Sequence, residues 1–209
     1  MKKEIDINKF DSRLSRAYST TENKQQQYDD WAGSYESDLV NDLGYVAHKD
    51  ASELFARIVP DKSVRVLDVA CGTGLVGDYL KGLGYLDVAG VDFSQEMLNI
   101  SEQRDVYSHL WQQDFTQPAD LEHLYDALIC VGLFAFSIPK VSDLHHVVNC
   151  VKPGGHCIIT INGAAWDQLD LKPTVYAEAK RHGFNINDII HAQYIRKEGI
   201  DSQVLVITR

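Results

Sequence analysis

Residues 66–74, VLDVACGTG, constrain the fold of this chain more than any other segment. Val64, Val66, Leu67 and Val69 form a short apolar run, the pattern of a strand covered on both faces. Ala70, Cys71, Gly72, Thr73 and Gly74 then turn the chain tightly, and residues 75–83 resume at helical spacing. Strand, glycine turn and helix open a nucleotide-binding α/β unit, where glycines tolerate positive φ and let a ligand approach bare backbone.

The same rhythm continues downstream. Short strands are expected at 87–92, 107–112, 127–131 and 157–161, with Ser94 as a helix N-cap and Glu96 favourable in the first turn. Residues 141–151 read as a helix stopped by Lys152-Pro153-Gly154-Gly155, and residues 174–181 as a helix ending at His182-Gly183. Residues 184–196 and 204–208 read as two strands joined by a tight connection, hence antiparallel.

Asp68, placed just before the glycines, discriminates between cofactors. Gly72, Gly74 and Gly77 satisfy G-x-G-x-x-G, with Asp92 about 20 residues further on for a ribose. A dinucleotide would bring a doubly anionic pyrophosphate against that acid. S-adenosylmethionine carries an ammonium and a sulfonium and no phosphate, and a neighbouring carboxylate favours it. Asp78 and Tyr79 follow Gly77 where a phosphate-cradling G-x-x-x-x-G-K-[ST] loop requires Lys and Ser or Thr.

VLDVACGTG, then GVDFS at 90–94, QQDF at 112–115 and VKPGG at 151–155 resemble the motifs of class I, seven-strand S-adenosylmethionine-dependent methyltransferases. YDDWAGSYESDL at 28–39 and ACGTGLVGDYL at 70–80 look most like the methyltransferase-like 27 group. The resemblance implies a Rossmann-like, seven-stranded, mostly parallel sheet with an antiparallel C-terminal hairpin and helices on both faces. It also implies that residues 1–40 are an extension, of which 18–40 form a lid, ahead of a methyltransferase domain at 41–209. Tyr28, Trp31 and Tyr35 share one helical face by spacing; the resemblance adds that they cover the methionine end of the cofactor.

In an open α/β sheet, ligands bind beyond the carboxyl ends of the strands, where strand order reverses. That rule gathers Asp68, Ala70, Cys71, Gly72, Thr73 and Gly74 from the first strand end. Asp92, Phe93 and Met97 come from the second, Gln113, Asp114 and Phe115 from the third, and Cys130, Val131 and Gly132 from the fourth. Asp92 is expected to accept from both ribose hydroxyls, and Asp114 from the adenine amino group, with Phe115 offering its backbone N–H to the ring. Phe93 and Met97 are candidate walls for adenine.

Methyl transfer asks little of side chains, because the sulfonium is already an activated electrophile and positioning supplies much of the acceleration. The candidate bases His145, His146, His191 and Tyr194 carry weak signals, so no catalytic residue is assigned. Leu133, Phe134, Phe136, Asn162 and Trp166 follow strands four and five on the acceptor side, with Phe134, Asn162 and Trp166 the substrate-pocket candidates. The acid set of a catechol-type metal-dependent methyltransferase is missing and Asn162 has no neighbouring acid, so no metal is expected.

A formal net charge of -10 repels polyanions, so nucleic acid is an unfavourable partner and a small-molecule acceptor is expected. No apolar stretch approaches a membrane span and the N-terminus lacks an apolar signal core, which points to the cytoplasm. Cys71, Cys130, Cys150 and Cys157 show no C-x-x-C pairing and read as buried thiols. Two other readings stand beside the methyltransferase: a non-catalytic binder of S-adenosylmethionine, and an NAD(P)-dependent oxidoreductase.

Overall fold

The central apolar run forms β1 (Arg65–Val69), buried at every residue after the first. The computed structural model describes residues 9–19, 23–121, 124–137 and 139–209. β1 lies between β2 (Asp87–Asp92) and β4 (Tyr125–Phe134), parallel to both. β3 (His109–Gln112) extends one side and β5 (Val151–Asn162) the other, again in parallel. β7 (Ile200–Thr208) pairs antiparallel with β5, and β6 (Asn185–Ile195) antiparallel with β7. The order β3-β2-β1-β4-β5-β7-β6 reverses direction between β1 and β4, which opens a crevice at the carboxyl ends of those strands.

Side chains alternate across the sheet and feed two cores. Leu67, Val69, Leu128 and Cys130 face α6 (Leu144–Val148), α7 (Gly163–Leu169) and α8 (Leu171–His182). Val66, Ala127, Ile129 and Ile158 face α1 (Ser12–Tyr18), α3 (Ala47–Ile58) and α4 (Leu75–Gly82). α2 (Lys24–Trp31) and α5 (Gln95–Glu102) meet over the mouth of the crevice. The Ser94 hydroxyl caps α5 by accepting from the Met97 N–H at 3.2 Å. All four cysteines are buried and form no disulfide. Among the described residues no helix is long and apolar enough to cross a membrane.

Two expectations shift. The helix expected over 141–151 is a 3-10 turn at Val141–Asp143 followed by the five-residue α6, and Val151 already belongs to β5. The Lys-Pro-Gly-Gly stop therefore lies inside a strand. Its backbone is held across the sheet end: Gly154 N–H donates to the Arg209 carbonyl (2.6 Å), and Arg209 N–H to that of Gly155 (3.0 Å). A Cβ on Gly155 would sit 2.4 Å from the Asp126 carbonyl, so the close approach needs glycine. The third strand starts at His109 rather than 107, because Tyr107 turns under α4 instead of joining the ladder.

Of the expected 1–40 extension, residues 1–8 and 20–22 lie outside the described residues. The remainder is helical and packed. Leu14, Ala17 and Tyr18 are buried in the second core, and Arg13 pairs with Asp38 (2.6 Å) and Asp42 (3.1 Å). Residues Ser37–Asp42 widen into a π-helical turn, a form that recurs at functional sites.

Candidate active site

A cavity occupies the crevice. Its wall gathers Ala70, Gly72, Asp92, Phe93, Met97, Gln113, Asp114, Phe115, Val131 and Gly132 from four strand ends, and Tyr28, Trp31 and Tyr35 from above. Ala70 adopts φ +58 and Gly72 φ +54, so the turn leaves β1 in a left-handed conformation that places backbone on the cavity surface. A Cβ at Gly72 would meet no atom within 4 Å, which marks open space in front of the turn. The turn's amides are engaged within the protein: Cys71 N–H donates to the Val91 carbonyl (3.0 Å), Gly72 N–H to Asp92 (2.9 Å) and Gly74 N–H to the Cys71 carbonyl (2.9 Å). A pyrophosphate would find none of these three donors free.

Asp92 ends β2 and is 6 % exposed. Oδ1 accepts from the Ser94 N–H and Oδ2 from the Gly72 N–H, both at 2.9 Å. Each oxygen keeps a lone pair for a further donor. Burial pushes its pKa up to about 6 against the pull of those amides. The residue is thus a fixed carboxylate at the strand end, the geometry that recognises a pair of vicinal hydroxyls.

Asp68, Cys71, Thr73, Gly74 and Cys130 stand behind the wall rather than on it. Asp68 is fully buried and its Oδ2 accepts from the Tyr107 hydroxyl at 2.6 Å, while Oδ1 has no partner. Burial raises its pKa to about 8, so the acid is mostly protonated at neutral pH. The fixed negative charge beside the turn is therefore better assigned to Asp92. Tyr107 also accepts from the Gly77 N–H (3.1 Å), and a Cβ on Gly77 would lie 2.3 Å from its ring. The third glycine of the G-x-G-x-x-G spacing makes room for that tyrosine. Gly74 N-caps α4 at φ +94, and the Cys71 thiol packs toward Gly90. The Thr73 carbonyl accepts from Arg104 Nε at 2.5 Å.

Around the adenine end of the expected site, Asp114 closes an Asx turn in which both carboxylate oxygens accept from Thr116 (2.8 and 2.9 Å). Its acceptor capacity toward a ligand is reduced accordingly. Gln113 donates its side-chain amide to the Asp114 carbonyl at 2.9 Å.

The aromatic face of α2 closes the cavity from above. The Tyr28 ring meets Phe93 edge-on with centroids 5.6 Å apart, and Trp31 meets Tyr35 at 4.9 Å. Trp31 Nε1 donates to Asp38 at 2.7 Å. Two polar latches hold the segment down: Ser94 donates its hydroxyl to Asp29, and Arg104 pairs with Glu36 while gripping the glycine turn. Lys24 Nζ donates to the Ala17 carbonyl (2.6 Å) and Gln27 (3.2 Å), tying α2 to α1.

The far end of the cavity differs from expectation. Phe134 and Trp166 pack into the first core, and Asn162 caps α7 through the Ala165 N–H (3.1 Å); none of the three lies on the wall. Phe134 is buried in the first core at the irregular end of β4, while Leu133, half-buried against the same core, does reach the cavity. Asn162 acts at one remove, donating to the Tyr18 hydroxyl at 3.1 Å. The wall instead comes from Leu14, Ala17, Tyr18, Leu39, Tyr45, Leu133, Ala135, Ser137, Pro139, Tyr194 and Ile195. Burial pushes the phenols of Tyr18, Tyr45 and Tyr194 upward, so they remain neutral donors. Of these residues only Tyr194 and Leu133 carried a sequence signal. His145 and His146 lie on α6 and His191 on exposed β6, off the wall.

Comparison with known proteins fits this architecture. A methyltransferase-domain family profile matches residues 66–155. Human methyltransferase-like protein 27 is 34% identical over 143 residues, covering 64% of this chain and 55% of that protein. The ubiquinone biosynthesis O-methyltransferase of Klebsiella pneumoniae is 30% identical over 133 residues, covering 59% and 51%. The chain thus spans about half the length of the curated relatives it matches. Among solved structures, the [4+2]-cyclase SpnF superposes with a TM-score of 0.68 at 16% identity, over 91% of this chain and 97% of that one. The Burkholderia thailandensis 1,6-didemethyltoxoflavin-N1-methyltransferase, solved with bound 1,6-didemethyltoxoflavin and S-adenosylhomocysteine, superposes at 0.64 and 16% identity, over 87% and 86%. Motif order, sheet order and the matched central segment agree: residues 66–155 match the methyltransferase-domain family, within a seven-stranded sheet of the class I methyltransferase fold.

Proposed function

We propose that the protein binds S-adenosylmethionine at the strand ends and transfers its methyl group to a small, largely apolar acceptor. One observation carries the reading: Asp92, buried at the end of β2, faces an open cavity while its two oxygens hold the Gly72 and Ser94 amides. Bound there, the cofactor supplies an activated methyl on a cationic sulfur. Asp92 takes the ribose hydroxyls, Phe93 and Met97 flank the base, and Gln113 to Phe115 frame its edge. The backbone of Ala70 and Gly72 lies against the remainder. Tyr28, Trp31 and Tyr35 form the lid, whose aromatic surface excludes water from the sulfonium.

The acceptor enters the end lined by Tyr18, Tyr45, Leu133 and Tyr194. Neutral phenols and aliphatic side chains position an uncharged molecule there better than an ionic one. The catalytic contribution expected of this end is orientation of the nucleophile and exclusion of water. A cytoplasmic setting accords with the buried thiols.

The SpnF fold match is a reason to test activity rather than assume it, since that neighbour is described as a cyclase. Methyl-labelled S-adenosylmethionine should be incubated with the protein and fractionated cell metabolites, and labelled products sought. Label recovered in a small organic product supports the proposal. Cofactor binding without any labelled product from a broad metabolite pool would favour the non-catalytic binder.

A further inference from the structure

On the far side of the sheet from the lid, α6 and α8 bring three ligand-type side chains together. His145 Nδ1 lies 3.3 Å from Glu178 Oε2, and His182 Nε2 lies 3.4 Å from the same oxygen. All three atoms fall within 4.8 Å of one another. Glu178 and His182 are one helical turn apart on α8, so both point to the same side. Glu178 is only 7 % exposed, yet neither its Oε2 nor His182 Nε2 has a hydrogen-bond partner. Two buried ligand-type atoms 3.4 Å apart and outside hydrogen-bond geometry are costly unless an electropositive group joins them.

We propose that His145, Glu178 and His182 form a zinc site. Zinc bonds of 2.0–2.1 Å in a tetrahedron place neighbouring ligands about 3.3–3.4 Å apart, which matches the two carboxylate–imidazole separations. Two imidazoles and one carboxylate suit zinc, whereas magnesium and calcium call for oxygen donors. The imidazole side chains are 21% and 24% exposed, which gives the ion an entry path and leaves the fourth position to water. Loading requires two local adjustments. The rings of His145 and His182 now stack at 3.9 Å and 6°, and they must splay so that each lone pair meets the metal in its own ring plane. His145 Nδ1 must also give up its 3.0 Å contact with the Ser142 carbonyl.

The ion would tie α6 to α8. His146, whose ring is 4.1 Å from that of His145, contacts the carbonyl of Phe115 on the cavity wall at 3.2 Å. The site is therefore a clamp on the elements behind that wall and stands apart from the transfer chemistry.

Calorimetric titration of the intact, metal-free protein with zinc chloride tests the proposal. One zinc per chain is expected, at micromolar affinity or tighter, with a rise in thermal midpoint. His182→Ala and Glu178→Gln should each weaken binding at least tenfold. His145→Gln serves as a third variant, with circular dichroism verifying that each folds. Cobalt(II) should give ligand-field absorption without a thiolate charge-transfer band, which separates this cluster from the cysteines. Absence of zinc binding at millimolar concentration, unchanged affinity in folded His182→Ala, or a thiolate band would each overturn it.

Discussion

At one end of the cavity the wall comes from consecutive residues where β1, β2 and β3 run out; at the other it comes from side chains far apart in the chain, Tyr18, Tyr45, Leu133 and Tyr194. The first wall is mostly backbone and fixed acid, with Gly72 and Asp92 bonded to each other. The second is mostly side chain, and it depends on α1, the segment before α3 and β6 arriving at the same place. A site made by a strand end inherits its geometry from the sheet. A site made by distant tyrosines inherits it from tertiary packing, and its chemistry is correspondingly easier to alter without losing the fold.

The sharpest way to break this contrast is at Asp92. Asp92→Ala should weaken S-adenosylmethionine binding about ten- to a hundredfold, as the loss of hydrogen bonds to a charged group costs roughly 1.5–3 kcal/mol. A folded variant that binds as tightly as the parent would remove the strand-end wall from the account.

Asp68 probes the same wall from behind. Burial raises its folded pKa to about 8, above an unfolded value near 3.9. The stability it contributes is thus complete below about pH 4 and is lost as pH rises through 8. Asp92 acts in the same sense with its midpoint near 6, so its own titration is largely complete by about pH 7. Between about pH 7 and 8 the slope therefore reports chiefly on Asp68, at a total of about 1 kcal/mol from roughly 1.4 kcal/mol per pH unit. Asp68→Asn should flatten thermal or urea midpoints over that range and stabilise the protein at the alkaline end. Parallel curves for parent and variant would contradict the buried neutral acid.

The smallest effect is expected at the other wall. Tyr194→Phe removes one neutral hydroxyl, and a typical net hydrogen bond of about 0.5–1.5 kcal/mol corresponds to a two- to tenfold rise in acceptor KM. Cofactor affinity should stay within twofold. A large loss of cofactor binding with unchanged acceptor KM would mean that the two ends have been assigned the wrong way round.

The same contrast explains what was legible in the sequence. Asp92 and Gly72 could be read because a strand end and a glycine turn are local patterns, and the parallel strands with a terminal hairpin followed from short-range periodicity. Tyr18 and Tyr45 could not, since an isolated tyrosine in a polar stretch looks the same whether it meets a cavity or solvent. Tyr107 fits the pattern of a strand residue; its role beneath Gly77 depends on a contact thirty residues away. Val151 fits the end of a helix because Lys-Pro-Gly-Gly is a stop signal, although here the glycines admit a neighbouring strand. Asp68 stands out by its place before the glycines, but its surroundings, which leave it mostly neutral, are a property of packing.

Calorimetry at pH 7.5 tests the central claim most directly, by titrating the intact protein with S-adenosylmethionine, S-adenosylhomocysteine, NAD and NADP in turn. Gly72, whose amide is held by Asp92, and the open space before it predict micromolar binding of the first two ligands and at least a hundredfold weaker binding of the dinucleotides. Tight dinucleotide binding with no heat from S-adenosylmethionine would contradict the account.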